Sequence, residues 1–287
     1  MIVAAAVLWG LIGPFSVWAA RAGVTAAQTA FWRTALSALP FALLAVRARE
    51  WPGSRDLLGI GFFGVVGIAV MYASFFTAVE RVGAGIAAVL LYTGPAWVAV
   101  FVWVGGRHVP SRTSLLALLL TIAGVVLLSR EPADIQKSDL LGIGAGLLSG
   151  VAYSAHFIIA PRYIARLNAP LVYAVAMIVA TVVLAPLAQP TLPPLSAAPP
   201  LLFLSLVATF VASLLFARGV VHVAPVRAAI TATIEPVVAF TASILVLGAE
   251  LHLQQLLGAA LVLAGVTIIM VGGAGMEAQP PDHMSMI

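Results

Sequence analysis

The sequence predicts an all-α integral membrane protein of about ten transmembrane helices, arranged as two inverted five-helix repeats. Three observations carry this. Of 287 residues, 62% are hydrophobic and 8% charged, with mean hydropathy +1.12, whereas a soluble domain carries about 25% charged residues. Apolar runs near the length of about 20 residues that crosses a bilayer as helix recur ten times along the chain. Finally, the stretch Val82 to Val125 returns as Val223 to Val266. Val82 matches Val223, Ala87-Ala88 matches Ala228-Ala229, Pro95 matches Pro236, and Ala123-Gly124-Val125 matches Ala264-Gly265-Val266, each pair 141 positions apart.

The spans follow in order. Span 1, Ile2–Ala20, has no basic leader and is followed by further spans, so it reads as a retained helix and not a cleaved signal. Span 2, Ala27–Val46, carries Arg33. Span 3, Leu57–Val79, has Gly59, Gly64 and Gly67 and then Tyr72 and Phe76. Span 4, Ala84–Val104, follows closely across Glu80-Arg81 and holds Tyr92 and Pro95. Span 5 is Ser114–Ser129. The most polar loop of the chain then joins the halves, so residues 1–130 form the first repeat and 131–139 a linker expected to be periplasmic. Residues 140–272 form the second repeat. Span 6, Leu140–Ile164, places Gly142, Gly146 and Gly150 on one face, a close-packing pattern. Span 7 is Pro170–Ala188, and the Pro-rich segment Pro190–Pro200 reads as a loop. Span 8, Leu201–Ala217, leads across Arg218–His222 to span 9, Val226–Leu247, with Thr231, Glu235 and Pro236. Span 10 is Gln254–Gly272, and the polar tail 273–287 is expected to be disordered and cytoplasmic.

Five spans per half is an odd number, so the second half enters the membrane upside-down relative to the first. Inverted repeats support alternating access about a midplane site. With a cytoplasmic N-terminus, the inside loops hold nine basic residues: Arg47, Arg49, Arg55, Arg107, Arg112, Arg162, Arg166, Arg218 and Arg227. The outside loops hold four: Arg21, Arg81, Arg130 and Lys137. That bias places both termini in the cytoplasm.

Two five-span halves, each ending in a helix–Pro–helix–Ala-Gly-Val pattern, resemble the EamA-type branch of the drug/metabolite transporter superfamily. The carrying residues are Trp9-Gly10, Tyr72, Phe76, Ala78, Pro95, Ala123-Gly124-Val125, Glu235-Pro236, Glu250 and Ala264-Gly265-Val266. In texture and aromatic content the chain is most similar to the YddG-type aromatic amino acid exporters. Gly105-Gly106-Arg107 replaces the acidic residue that such proteins often carry after the fourth span, whereas Glu250 keeps it in the second half. The resemblance implies export of aromatic and other neutral amino acids and related small metabolites by alternating access. It also implies a bacterial inner (plasma) membrane protein whose central cavity lies between spans 1, 3, 4, 6, 8 and 9. Drug or other metabolite export is the alternative within the superfamily.

Glu235 is the sharpest candidate, because a carboxylate at membrane depth is costly and tends to be functional. It precedes Pro236, which frees a backbone carbonyl, and shares a helical face with Ala228 and Thr231. Its counterpart at the repeat offset is Gly94. The plain alternative is a protonated Glu bonding a neighbouring helix. Arg33 reads either as a shallow, snorkelling or helix-bridging arginine, or as a carboxylate clamp or partner to Glu235. At an offset of 144, Trp9 matches Tyr153 and Gly13 matches Phe157, so both halves place an aromatic residue at one position of their first span. His156 could titrate near neutral pH and is weighed evenly against a structural role. Trp9, Tyr72, Phe76, Tyr92, Tyr153, His156, Phe157, Thr231 and Glu235 are therefore the expected cavity residues. Pro95 and Pro236 are the expected kinks, and Glu235, His156 and Arg33 could couple transport to protons. Trp18, Trp51 and Trp103 suit lipid-facing positions.

Cysteine is absent, which excludes thiolate chemistry and disulfides. No catalytic triad, phosphate loop or paired carboxylates within one span is present, so an intramembrane enzyme is a distant reading. No cofactor, metal or nucleic-acid partner is expected. The expected partners are the substrate and the lipid bilayer, and a monomer suffices.

Overall fold

The computed structural model describes residues 1–47, 51–105, 110–128, 139–248 and 252–271. All regular structure among them is helical, in ten successive spans labelled α1 to α10. These are α1 (Ile2–Arg21), α2 (Ala26–Ala45), α3 (Ser54–Val82), α4 (Ala84–Val104) and α5 (Arg112–Leu128). Then come α6 (Leu140–Ile164), α7 (Ala169–Ala188), α8 (Leu195–Val220), α9 (Pro225–Ala232 and Glu235–Leu247) and α10 (Leu253–Val271). Eight are long and apolar enough to cross a membrane. Of the other two, α5 is a shorter apolar helix and α2 has the length but carries Gln28, Thr29, Arg33, Thr34 and Ser37. Arg49, Arg107, Arg130, Lys137, the 131–138 linker, Glu250 and the tail lie outside the described residues.

Spans pack across the two halves in matched pairs: α5 on α10, α2 on α7, α3 on α6 and α1 on α8. Glycines make these approaches close. A Cβ on Gly124 would meet the Gly258 carbonyl at 2.6 Å, one on Gly258 the Gly124 carbonyl at 2.7 Å, and one on Gly64 the Ala176 carbonyl at 2.6 Å. Gly142 and Gly146 seat Val82 and Leu90, so the Gly stripe of α6 is a packing face. The α3–α6 pair is also pinned at both ends. Arg81 pairs with Asp139 and Arg166 with Asp56, each at 2.8 Å. Arg81 beside Asp139 holds that exposed carboxyl below its usual range, and two backbone N–H groups from Gly142 and Leu141 add to this. Trp18, Trp51 and Trp103 are exposed, as expected of lipid-facing rings.

Two features depart from the sequence reading. The segment expected to loop until Pro200 is helical from Leu195, because Pro199 and Pro200 sit in the first turn, where a missing N–H costs nothing. Both α3 and α8 wind as π-helix midway, over Gly64–Val70 and Phe203–Val211. No hydropathy pattern distinguishes this looser winding, which is frequent at functional sites.

Candidate functional site

Four spans break near the middle of their length. The α1 helix stops at Gly10 and restarts at Ile12, and α6 stops at Tyr153 and restarts at Ala155. In α4 the first half ends at Leu91 and the second starts at Gly94, while in α9 the halves end at Ala232 and start at Glu235. The last two breaks lie at matched repeat positions. Pro95 and Pro236 do not kink continuous helices. Each is the second residue of a new half-helix, and both are buried. A proline there loses no hydrogen bond, while the turn before it ends the preceding half.

The breaks cross in pairs, one span from each half. At the crossing of α1 and α9, a Cβ on Gly10 would meet the Glu235 carbonyl at 2.8 Å and Val238 Cβ at 2.6 Å. At the crossing of α6 and α4, a Cβ on Gly150 would meet the Leu90 carbonyl and Thr93 Oγ1, both at 2.6 Å. Only glycine permits these approaches.

Glu235 is therefore the first residue of a half-helix, at a terminus where N–H groups and the helix dipole favour a negative charge. The Tyr153 hydroxyl donates to Glu235 Oε2 at 3.4 Å, and the Tyr92 hydroxyl also engages this carboxyl group. Tyr92 and Tyr153 are themselves buried, and Glu235 keeps some accessible surface at membrane depth. Tyr153 belongs to the second half and Tyr92 to the first, so the carboxyl is held by both. At the matched position in α4, a Cβ on Gly94 would come within 2.8 Å of Tyr153 Cδ1. The ring of Tyr153 thus rests on Gly94 while its hydroxyl reaches Glu235.

Arg33 is 5% exposed and bridges α2 to α8. Its Nε and Nη2 both donate to Thr209 Oγ1, at 3.3 and 3.2 Å, and its guanidinium lies 5.0 Å from the Tyr72 ring centroid. Thr209 belongs to the π-helical segment of α8 and donates to the Leu204 carbonyl five residues back. Among the described residues Arg33 has no ion pair, and its charge reaches Glu235. Each embedded charge costs about 2.5–3.5 kcal/mol at a helix centre on insertion scales.

An aromatic wall joins the two halves. Trp9 packs on Phe216 at 5.2 Å, Phe216 on Phe157 at 5.5 Å, and Phe157 on Tyr153 at 5.3 Å. His156 lies between Tyr153 and Phe63, at 5.7 and 5.1 Å. His156 Nδ1 has no hydrogen-bond partner among the described residues. The Tyr72 and Phe76 rings lie 6.3 Å apart, tilted by 44°. Thr231 is buried, its hydroxyl donates to the Arg227 carbonyl one turn back at 2.7 Å, and the break after Ala232 separates its half-helix from that of Glu235. Sequence reasoning missed Thr209, Phe216 and Phe63. A hydroxyl in the apolar α8 was the one legible signal, for Thr209.

The two halves carry the comparison with known proteins. The EamA-like transporter family matches residues 1–130 and 140–271. The chain belongs to this family. It is 30% identical over 272 residues to an uncharacterized transporter of Archaeoglobus fulgidus, covering 90% of this chain and 92% of that one. The uncharacterized transporter YwfM of Bacillus subtilis is 25% identical over 291 residues, with 99% and 97% covered. A solved crystal structure superposes with TM-score 0.75 at 16% identity, covering 94% of this chain and 96% of the other, which shows the fold. The EamA-like chain is thus a multi-pass membrane transporter.

Proposed function

We propose that this EamA-like protein exports neutral amino acids, aromatic ones among them, and related small metabolites by alternating access, as a facilitator or a proton-coupled carrier. The observation that supports this most is Glu235 at the start of a broken half-helix, held by Tyr153 and Tyr92 from opposite halves. A carboxylate of this kind suits a primary ammonium group, and the neighbouring rings of Trp9, Tyr72, Phe76 and Phe157 suit an apolar or aromatic side chain. The crossing breaks supply backbone that re-aims when one half rocks against the other. We read the chain as a carrier and not an enzyme, in a bacterial inner membrane with both termini cytoplasmic.

A second reading, export of amphipathic drugs or other metabolites, draws on one observation. An open apolar groove, lined by Leu11, Ile234, Val237, Val238, Thr241, Ala242, Leu245 and Leu263, runs directly beside the Glu235 break. Transport in proteoliposomes separates the two. Radiolabelled neutral amino acids should enter protein-loaded vesicles above empty ones, and uptake confined to hydrophobic cations would favour the second reading. An imposed proton gradient that accelerates wild-type flux but not that of Glu235→Gln would mark proton coupling. Flux indifferent to the gradient would mark a facilitator.

A further inference from the structure

We infer that Arg33, presented by Thr209 and Tyr72, is the carboxylate subsite of the cavity, so that the substrate is bound as a zwitterion between Arg33 and Glu235; this rests on the amino acid reading above.

The geometry of the guanidinium carries the inference. Nε–H and the neighbouring N–H of Nη2 form its side-on fork, and both are taken by a single neutral oxygen, Thr209 Oγ1. That oxygen spends its own proton on the Leu204 carbonyl, so it can only accept from Arg33. Its position on the α8 π-segment sets the rotation of the guanidinium plane, and the Tyr72 ring supports the cation from one side. The end-on fork, Nη1 with the outer N–H of Nη2, has no partner among the described residues. It is also not sealed away. The buried polar atoms without partners are Trp32 Nε1, Trp97 Nε1, His156 Nδ1 and the Tyr173 hydroxyl, and no Arg33 atom is among them. Nη1 therefore keeps accessible surface in a residue that is 5% exposed, and the fork is left for an incoming acceptor. Planar paired N–H donors match a carboxylate in bidentate fashion, and a desolvated arginine is suited to that bond.

The second pole is Glu235. Arg33 and Glu235 are close enough to act on each other electrostatically, yet no ion pair joins them. An α-amino acid brings an ammonium and a carboxylate on one carbon and compensates both buried charges at once. An amine or a carboxylic acid compensates only one of them and leaves the other uncompensated in a low-dielectric site. The arrangement also orients the substrate: carboxylate toward α2 and α8, ammonium toward α9, side chain toward the aromatic wall.

Three ligands with one ring test this on the purified full-length protein: L-phenylalanine, phenethylamine, which lacks the carboxylate, and phenylacetate, which lacks the ammonium. Binding is read by intrinsic tryptophan fluorescence and flux by proteoliposome uptake. Arg33→Gln should weaken L-phenylalanine about ten- to hundredfold, abolish phenylacetate binding and leave phenethylamine as tight or tighter, as loss of a charge-assisted pair requires. Arg33→Lys should recover only part of the affinity, because a point charge cannot fill a planar fork. Retained phenethylamine binding reports a folded cavity; should Arg33→Gln fail to fold, Thr209→Val tests the same fork by weakening the carboxylate ligands alone. Equal losses for all three ligands, or none, would overturn the subsite. If Arg33 served only to neutralise Glu235, the Arg33→Gln/Glu235→Gln pair would restore L-phenylalanine transport, and that rescue would also overturn it. Should wild-type protein move no amino acid while phenylacetate binds in an Arg33-dependent way, the amino acid reading falls and the anion subsite stands.

Discussion

The breaks in α4 and α9 are the same backbone event with different chemistry. Each ends one half-helix with a two-residue turn and starts the next with a residue followed by buried proline: Gly94-Pro95 in the first half, Glu235-Pro236 in the second. In the first, the absent side chain makes room for the Tyr153 ring. In the second, the carboxyl receives that residue's hydroxyl. A repeat thus supplies a symmetric scaffold for rocking, and a single divergent position gives it a polar end. The asymmetry lies in one side chain at each break, since the crossings beneath them, Gly10 on α9 and Gly150 on α4, are built alike.

Exchanging the unlike residues is the strongest way to break the comparison. Glu235→Gln should lower flux of an ammonium-bearing substrate about a hundredfold, the loss of charge-assisted bonds worth about 1.5–3 kcal/mol. Gly94→Glu in that background should not restore it, because a Cβ at Gly94 displaces Tyr153. Restored flux would make the breaks interchangeable. The like residues come next. Gly10→Ala and Gly150→Ala each drive a methyl group into a backbone carbonyl, and each should cost about 1–3 kcal/mol of stability, read as a lower unfolding midpoint in detergent. Equal losses would sharpen the symmetry of the crossings, and a loss at one alone would contradict it. Tyr153→Phe should reduce flux about three- to tenfold, in keeping with one hydrogen bond of about 1 kcal/mol, and leave the folded state intact by circular dichroism.

The smallest effect lies outside the membrane. Arg81 holds the Asp139 carboxyl below its usual range, so the pair and cap are complete above the ordinary aspartate value of about 3.9 and fade as pH falls below it. The unfolding midpoint of Asp139→Asn should therefore sit below wild type at neutral pH and converge with it in acid. A constant gap would show that Asp139 acts through something other than its charge.

Much of this was legible in the residues. Pro95 and Pro236 marked the breaks at one offset, though as starts of half-helices and not as kinks. Glu235, Tyr92, Tyr153 and Trp9 lie at or beside the crossings. The face shared by Thr231 and Glu235 was drawn on one continuous helix, and the break between them was not legible. The partner of Arg33 was not legible: Thr209, 176 residues away on the α8 π-segment, accepts both of its bonds.

By itself the sequence determined the membrane class, the ten spans, the duplication and the position of the α4 and α9 breaks, because hydropathy and proline act on the chain locally. Tertiary structure alone decided that Tyr153 of one half rests on Gly94 of the other, that Thr209 takes one fork of Arg33, and that the Tyr153 hydroxyl reaches Glu235. Those contacts join residues far apart in the chain across helix crossings, and no local pattern encodes which faces meet.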